Sequence, residues 1–540
     1  MKRRLLWAAG LAAIVTLAAA YWMFARPWYR ITISKETTFI TEPLRADGYV
    51  DYEAALNELA SKGVTRENNA AVLLAQAFDP YEIGEQIRER FFRMLGVSPL
   101  VGKGKYFEWF QHFYDRTAPE QGVAGSGASG RDRSEEARDQ IEEAMTRPWT
   151  EREFPVLGQW LGENEKHLRL VVAASQRARY YVPRLCPPNS ATLDAFCSVP
   201  HDLQAAARGL SARAMLRVKV GKLEEAWQDL LACHRLARLA AQGTQAWDAI
   251  LGRSIEVMTC SCDAALAHWA NLTPQQAVRF ARDLRNLPPM DPLADKVNIG
   301  ERFMYLDSVA GTARGDINED GWPGRGAREP KGLFDGIVDY SRRMSVNWDE
   351  ALRRINVHFD RFFRALSKPT RRERRAAFNE VAREVEALVK EQHGPTGILR
   401  ILQPAEVRAT AAGRRIGLII VGLQLASLSR AEEIEGRADV QQRMAQVAFA
   451  LAAFRAEQGT YPAKLADLVP KYLKELPEDV VSGKPLRYKR EGTGYLLYSL
   501  GPNEKDDNGR ESPVTDPKTG EELRGDDIVI RMPAPKKTDQ

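Results

Sequence analysis

The residues of this chain with the clearest chemistry are oxygen donors. Asp316-Ile-Asn318-Glu-Asp320-Gly321 repeats the first half of a calcium loop, with oxygen ligands at the first, third and fifth positions and then a glycine for the sharp turn. The twelfth position, where a bidentate Glu closes such a loop, holds Ala327, and Glu329 follows two residues later. Asp316, Asn318 and Asp320 therefore form a candidate calcium set, with a solvent-exposed Asp/Gly turn as the alternative.

Nitrogen and sulfur donors are sparse. The seven histidines (His112, His167, His201, His234, His268, His358 and His393) include no HExxH spacing. His201-Asp202 and His358-Phe-Asp360 are local acid–base pairs of a kind common on helices rich in both types. No GxSxG nucleophile elbow and no phosphate-binding GxxxxGK[ST] string is present. Gly125-x-Gly127-x-x-Gly130 matches the dinucleotide fingerprint as a string, but its flanks read neither as a strand nor as the start of a helix. Among five cysteines, Cys186 and Cys197 bracket a Pro-rich loop and could pair in an oxidising compartment. Cys260-Ser-Cys262 is too short for a CxxC motif and reads as two incidental helix cysteines.

The elements around these residues are mostly helical, because periodicity near 3.6 residues dominates from about residue 50 to residue 457. The expected fold class is mainly α: an N-terminal transmembrane helix, a multi-helix body, and a small C-terminal α+β domain with a helix on a three-stranded antiparallel sheet. The expected units are an anchor or signal segment (1–30), a helical N-terminal region (31–120), a flexible loop (121–133), a helical bundle with hairpins (134–300), an irregular Asp/Gly loop followed by helices (301–430), and the α+β module (431–540). Residues 203–241 resemble one tetratricopeptide hairpin, with Leu210, Ala214, Gly221, Ala226, Leu230 and Cys233 near its packing positions. A lone repeat cannot bury a solenoid core, so an ordinary bundle is the expectation.

Leu5–Phe24 is an uncharged apolar stretch long enough to cross a bilayer, and Lys2, Arg3 and Arg4 precede it. The positive-inside rule keeps the N-terminus cytoplasmic and exports the rest, giving a single-pass protein of the bacterial cytoplasmic membrane. Cleavage after Ala18-Ala19-Ala20 is the alternative, and it also exports the chain. The net charge of +5 is small beside 77 basic and 72 acidic residues, which argues against a nucleic-acid partner.

At the C-terminus, Asp439–Phe454 carries apolar residues at helical spacing, and three candidate strands follow at Pro485–Lys489, Gly494–Leu500 and Asp527–Met532. With the phrases Ala452-Ala-Phe-Arg-Ala-Glu-Gln-Gly459-Thr-Tyr461-Pro462, Tyr472-Leu-Lys-Glu-Leu-Pro477, Gly494-Tyr-Leu-Leu-Tyr-Ser-Leu-Gly501 and Asp526-Asp527-Ile528, residues 431–532 resemble the globular domain of type II secretion major pseudopilins of the G type. The resemblance implies calcium in the loop after the Tyr-rich strand, on Ser499, Leu500, Asn503 (where the family usually has Asp) and Asp527. Asp506, Asp507 and Asn508 add oxygen donors there, Asp506 being counted in the candidate set. A polar loop without metal is the alternative. The family's filament assembly does not carry over, since the N-terminal segment lacks its leader and its acidic residue.

Together these features read as a membrane-anchored, non-catalytic scaffold or interaction protein of the cell envelope, related to secretion through the resemblance. Its expected partners are the membrane, through residues 5–24, and other envelope proteins. An envelope hydrolase with a site between helices is the alternative.

Overall fold

The structure is a computed structural model that describes residues 30–78, 85–98, 106–117, 133–186, 199–314, 346–390, 405–511, 514–515, 522–523 and 525–534. The apolar segment Leu5–Phe24, the glycine string at 125–130, Cys197, and the first calcium set (Asp316, Asn318 and Asp320) lie outside the described residues. The described residues are mainly helical, with a small three-stranded antiparallel sheet near the C-terminus.

The first half of the chain folds into Tyr52–Ser61 (α1), Ala70–Ala77 (α2), Glu85–Leu95 (α3), Phe110–Thr117 (α4), Arg133–Thr146 (α5) and Pro155–Ser175 (α6). Helix α5 begins within the stretch expected to be a flexible loop. Next come Val199–Lys219 (α7) and Leu223–Ala241 (α8), the hairpin expected from small and apolar spacing. Leu210, Ala214, Ala226, Leu230 and Cys233 are fully buried, as packing positions should be. Gly221 instead serves the turn: its φ of 79° is one that residues with a Cβ avoid, and a Cβ there would meet nothing within 4 Å.

Ala246–Trp269 (α9) runs through the middle of the body, followed by Pro274–Arg285 (α10). Helix α10 starts where its sequence says it should: Thr273 accepts from Gln276 N at 3.2 Å, Gln276 reaches back to Thr273 N, and Pro274 takes the first helical turn. Then follow Leu293–Lys296 (α11), a π turn at Val297–Glu301, Arg302–Arg314 (α12), Trp348–Leu366 (α13), Arg371–Lys390 (α14) and Ala405–Gln458 (α15).

Helix α15 is 54 residues long, which at 1.5 Å per residue makes it about 80 Å. The apolar run Ile416–Leu428 and the expected amphipathic helix at Asp439–Phe454 are both parts of it, so the anticipated boundary at 430/431 falls inside an unbroken helix. Among the described residues, 406–458 is the one helix long and apolar enough to cross a membrane by length and composition. Here one side of it is used for packing, while Val407, Ile419 and Leu423 stay exposed. Val421, Leu425, Leu428 and Ala431 join one core with α1, α12, α13 and α14. Val440, Met444, Val447 and Leu451 join a larger core with α2 through α10 and the sheet.

The sheet comprises Arg487–Glu491 (β1), Gly494–Ser499 (β2) and, after a two-residue ribbon of Val514–Thr515 (β3) and Glu522–Leu523 (β4), Ile528–Met532 (β5). Its order is β1-β2-β5, antiparallel throughout, in close agreement with the three strands expected from the sequence. Tyr495, Leu497, Ile528, Ile530 and Met532 face the larger core.

The π turn aims Glu301 into the body, where its carboxylate accepts from Ala246 N at 2.9 Å and from the Gln424 amide of α15. Burial pushes this carboxyl up to about 7, against the donated hydrogen bonds and the Arg184 charge. The fold thus favours the protonated form. That contribution is complete below the ordinary carboxylate value, about pH 4.3, and is lost as pH rises through about 7. Glu301→Gln keeps the hydrogen bonds once Gln424 and Tyr305 exchange donor and acceptor roles. The variant is therefore expected to melt above the wild type at pH 8, by up to about 3 kcal/mol, with the difference shrinking toward pH 5. Thermal midpoints across that range measure it.

Candidate metal centre

An antiparallel pair sets the end of one strand beside the start of the next. The register Ser499↔Ile528 therefore carries Asp526 and Asp527, at the entry to β5, up to the loop that leaves β2. That loop, residues 501–511, folds back across the outer face of the sheet. Leu496, Tyr498 and Leu500 form a small apolar cluster there, and Gly509 lies against Leu496. Arg510 O accepts from Asp527 N at 2.9 Å, and Arg375 of α14 donates to Pro502 O at 2.8 Å, tying the loop to the strand and to the body.

Where this loop meets the entry to β5, Asp507, Asp526 and Asp527 each present a carboxylate oxygen, all within 4.8 Å of one another. Asp527 is fully buried. Its Oδ2 accepts from Gly509 N at 2.7 Å, whereas its Oδ1 is buried and has no hydrogen-bond partner; Asp526 Oδ1 is likewise buried without one. The remaining contacts organise the three acids. Asn503 N donates to Asp526 Oδ2 at 2.9 Å, and the Asn503 amide donates to Asp507 Oδ2, also at 2.9 Å. Burial raises the Asp527 carboxyl above its ordinary range, backbone N–H groups partly offset this, and the Asp507 charge adds to it. Three like charges with buried oxygens unbonded are costly alone, and a hard divalent cation with all-oxygen ligation would satisfy them.

The residues expected from the sequence divide here. Asp527 lies at the centre, and Asn503 orders the acids through its N–H groups. Leu500 puts its side chain into the outer apolar cluster. Ser499 is buried, but its hydroxyl donates to Asp479 Oδ1 at 2.6 Å, away from the three acids. Asp506 is drawn to the sheet: it accepts from the Tyr498 hydroxyl and from Asn508 N, both at 3.0 Å, and faces Arg487 at 3.6 Å. Asp507 and Asp526, outside the candidate set, are the acids that stand beside Asp527. The adjacent acids Asp526-Asp527 just before a strand were the available signal.

A second polar cluster lies between α8 and α9. His234 Nδ1 is 2.8 Å from Glu256 Oε2, and its Nε2 is 2.8 Å from Asp263 Oδ2. Arg238 donates to Glu256 Oε2 at 2.9 Å. Burial opposes the charged imidazole, but the two carboxylates raise His234 above its ordinary value. A histidine with two carboxylates is the kit of a hydrolase, yet His234 and Asp263 are 0 % exposed and Glu256 1 %, so no substrate reaches them. Of the sequence-level acid–base pairs, His358 is buried with Nδ1 unbonded, and the His201 side chain lies outside the described residues.

The C-terminal α+β region is docked on α9 by Tyr461 and Arg455. Tyr461 lies nearly parallel to the His268 ring of α9 at 6.2 Å, its hydroxyl is 3.0 Å from His268 Nδ1, and Arg455 donates to His268 O at 2.6 Å. Comparisons of the chain with protein-family models, curated proteins and solved structures find no match.

Because the Ser499 hydroxyl is committed to Asp479, Ser499→Ala is expected to lower stability by about 1 kcal/mol, and by the same amount with or without divalent cation. Urea unfolding in calcium and in chelator checks both parts.

Proposed function

We propose that this chain is a membrane-tethered, extracytoplasmic, non-catalytic interaction protein of the bacterial envelope whose C-terminal module is fastened by calcium. The observation that carries the reading is the Asp507, Asp526 and Asp527 cluster with its fully buried, unbonded Asp527 Oδ1. A partly exposed, loop-built oxygen site belongs to the weak class, with dissociation constants around 10⁻⁴–10⁻³ M found in extracellular modules. Such a site fills outside the cytoplasm and stays empty of calcium within it. This agrees with export by the apolar segment at residues 5–24, and with the pseudopilin-like phrases, whose family is extracytoplasmic.

Other features support interaction over catalysis. The one described gathering of a histidine with two carboxylates is sealed. A groove of about 730 Å³ opens instead between α6 and the α7–α8 hairpin, lined by Leu161, Leu216 and Val220 and rimmed by Arg152, Lys219 and Lys222. A groove with an apolar floor and a charged rim suits a segment of another envelope protein better than a reacting small molecule.

Two experiments test the proposal. For the full chain, 1 mM calcium is expected to raise stability by about 0.4–1.4 kcal/mol by mass action. Asp527→Asn should abolish the response while leaving the fold intact, and an unchanged wild-type midpoint would sink the calcium reading. For the address, protease added to intact spheroplasts is expected to digest the body of the chain. Deletion of residues 1–30 should move the protein to the soluble cytoplasmic fraction. Complete protection of the full-length chain would overturn the topology.

A further inference from the structure

The sealed cluster between α8 and α9 contains more donors than its ion pairs use. Glu256, Cys260 and Asp263 follow one another at spacings of four and three, so all three lie on the face of α9 turned toward His234. The helices approach closely there, since a Cβ on Gly252 would fall 2.4 Å from Ala237 O. His234, Cys260 and Asp263 bring ligand atoms within 4.8 Å of one another, and all three residues are fully buried. Asp263 Oδ1 has no hydrogen-bond partner although it is completely removed from water.

We propose that His234 Nε2, the Cys260 thiolate and both carboxylate oxygens of Asp263 form a closed structural site for a divalent transition metal of the zinc type. Nitrogen, sulfur and carboxylate oxygen are the donors such ions take, whereas calcium and magnesium take oxygen alone. Bidentate ligation by Asp263 brings the donor count to four and uses the oxygen that otherwise has no partner. The two Asp263 oxygens share one vertex of a distorted shell, and the 2.8 Å between His234 Nε2 and Asp263 Oδ2 needs to open only slightly, to the roughly 3.3 Å expected between separate ligands about 2 Å from one ion. The outer support is in place: Glu256 holds His234 Nδ1, which sets the ring orientation, and Arg238 holds Glu256.

The charges also balance. Without metal, imidazolium and guanidinium offset two carboxylates. With metal, the ion displaces one proton from His234 and one from the Cys260 thiol, and these two protons leave to solvent, so the net charge of the buried cluster is unchanged. Because the site is sealed, metal enters as the helices pack, and its binding energy becomes folding energy.

The test uses the full chain, refolded with zinc, freed of excess ion by dialysis and analysed for metal by mass spectrometry. About one zinc per chain is expected, falling at least tenfold in Cys260→Ala and Asp263→Asn. Cys262→Ala, which keeps every proposed ligand, should retain the metal. Loading with cobalt(II) should give near-ultraviolet sulfur-to-cobalt charge transfer, a signature that the oxygen-only cluster near Asp527 cannot produce. A folded wild-type chain that keeps no zinc, or that binds cobalt without the thiolate band, would overturn the proposal even if the ligand variants fail to fold. The same holds for folded Cys260→Ala that keeps its metal.

Discussion

A helix about 80 Å long cannot bury its apolar stripe against a single small core, because cores of ordinary domains are less than half that deep. Helix α15 resolves this by lying along two of them. Its first half supplies Val421, Leu425 and Leu428 to the packing of α12, α13 and α14, and its second half supplies Val440, Met444 and Leu451 to the bundle around α9 and to the sheet. The placement of the rest follows from this rod. Helix α9 packs along it, α13 and α14 lie on its first half, and the sheet covers its end.

The middle of the rod carries charge, as it must where it passes between the two cores. Glu432 faces Arg371 of α14 at 3.5 Å, and Glu435 accepts from Arg253 of α9. Gly436 leaves the space in which the Arg371 guanidinium lies, where a Cβ would fall 1.3 Å from Nη1. These pairs are largely removed from water, so the loss of either partner would strand the other charge, a change that typically costs about 3–5 kcal/mol. The polar stretch Arg430–Asp439 is therefore a crossing point of three helices.

That stretch shows why part of the fold was legible in the sequence and part was not. Alternating or fully apolar runs between turn residues located β1, β2 and β5 to within a residue or two, and helical spacing found the α7–α8 hairpin, because these signals are local. The partners of the charged run at 430–439 are far away in the chain, so the continuity of α15 through it was invisible from the sequence. The candidate site behaves in the same way. Asp527 was named through the pseudopilin resemblance, but that Asp507 rather than Asp506 lies beside it depends on the Tyr498 hydroxyl capturing Asp506 across the sheet. His234 meets Glu256 and Asp263 only through the crossing of two helices, which no spacing along the sequence encodes.

The loop over the outer face of the sheet has a further role that follows from what it hides. Strand β1 is a sheet edge whose backbone groups are open to pairing with another chain, and its sequence, Arg487-Tyr-Lys-Arg-Glu491, places charge along that edge as a deterrent. Beside it, Leu496, Tyr498 and Leu500 make an apolar strip that is covered chiefly by residues 501–511. When the loop lifts, the strip and the edge become accessible together, and they are the two ingredients of strand-to-strand aggregation. The acids that hold the loop down thus govern how well the molecule survives at high concentration as well as how it folds.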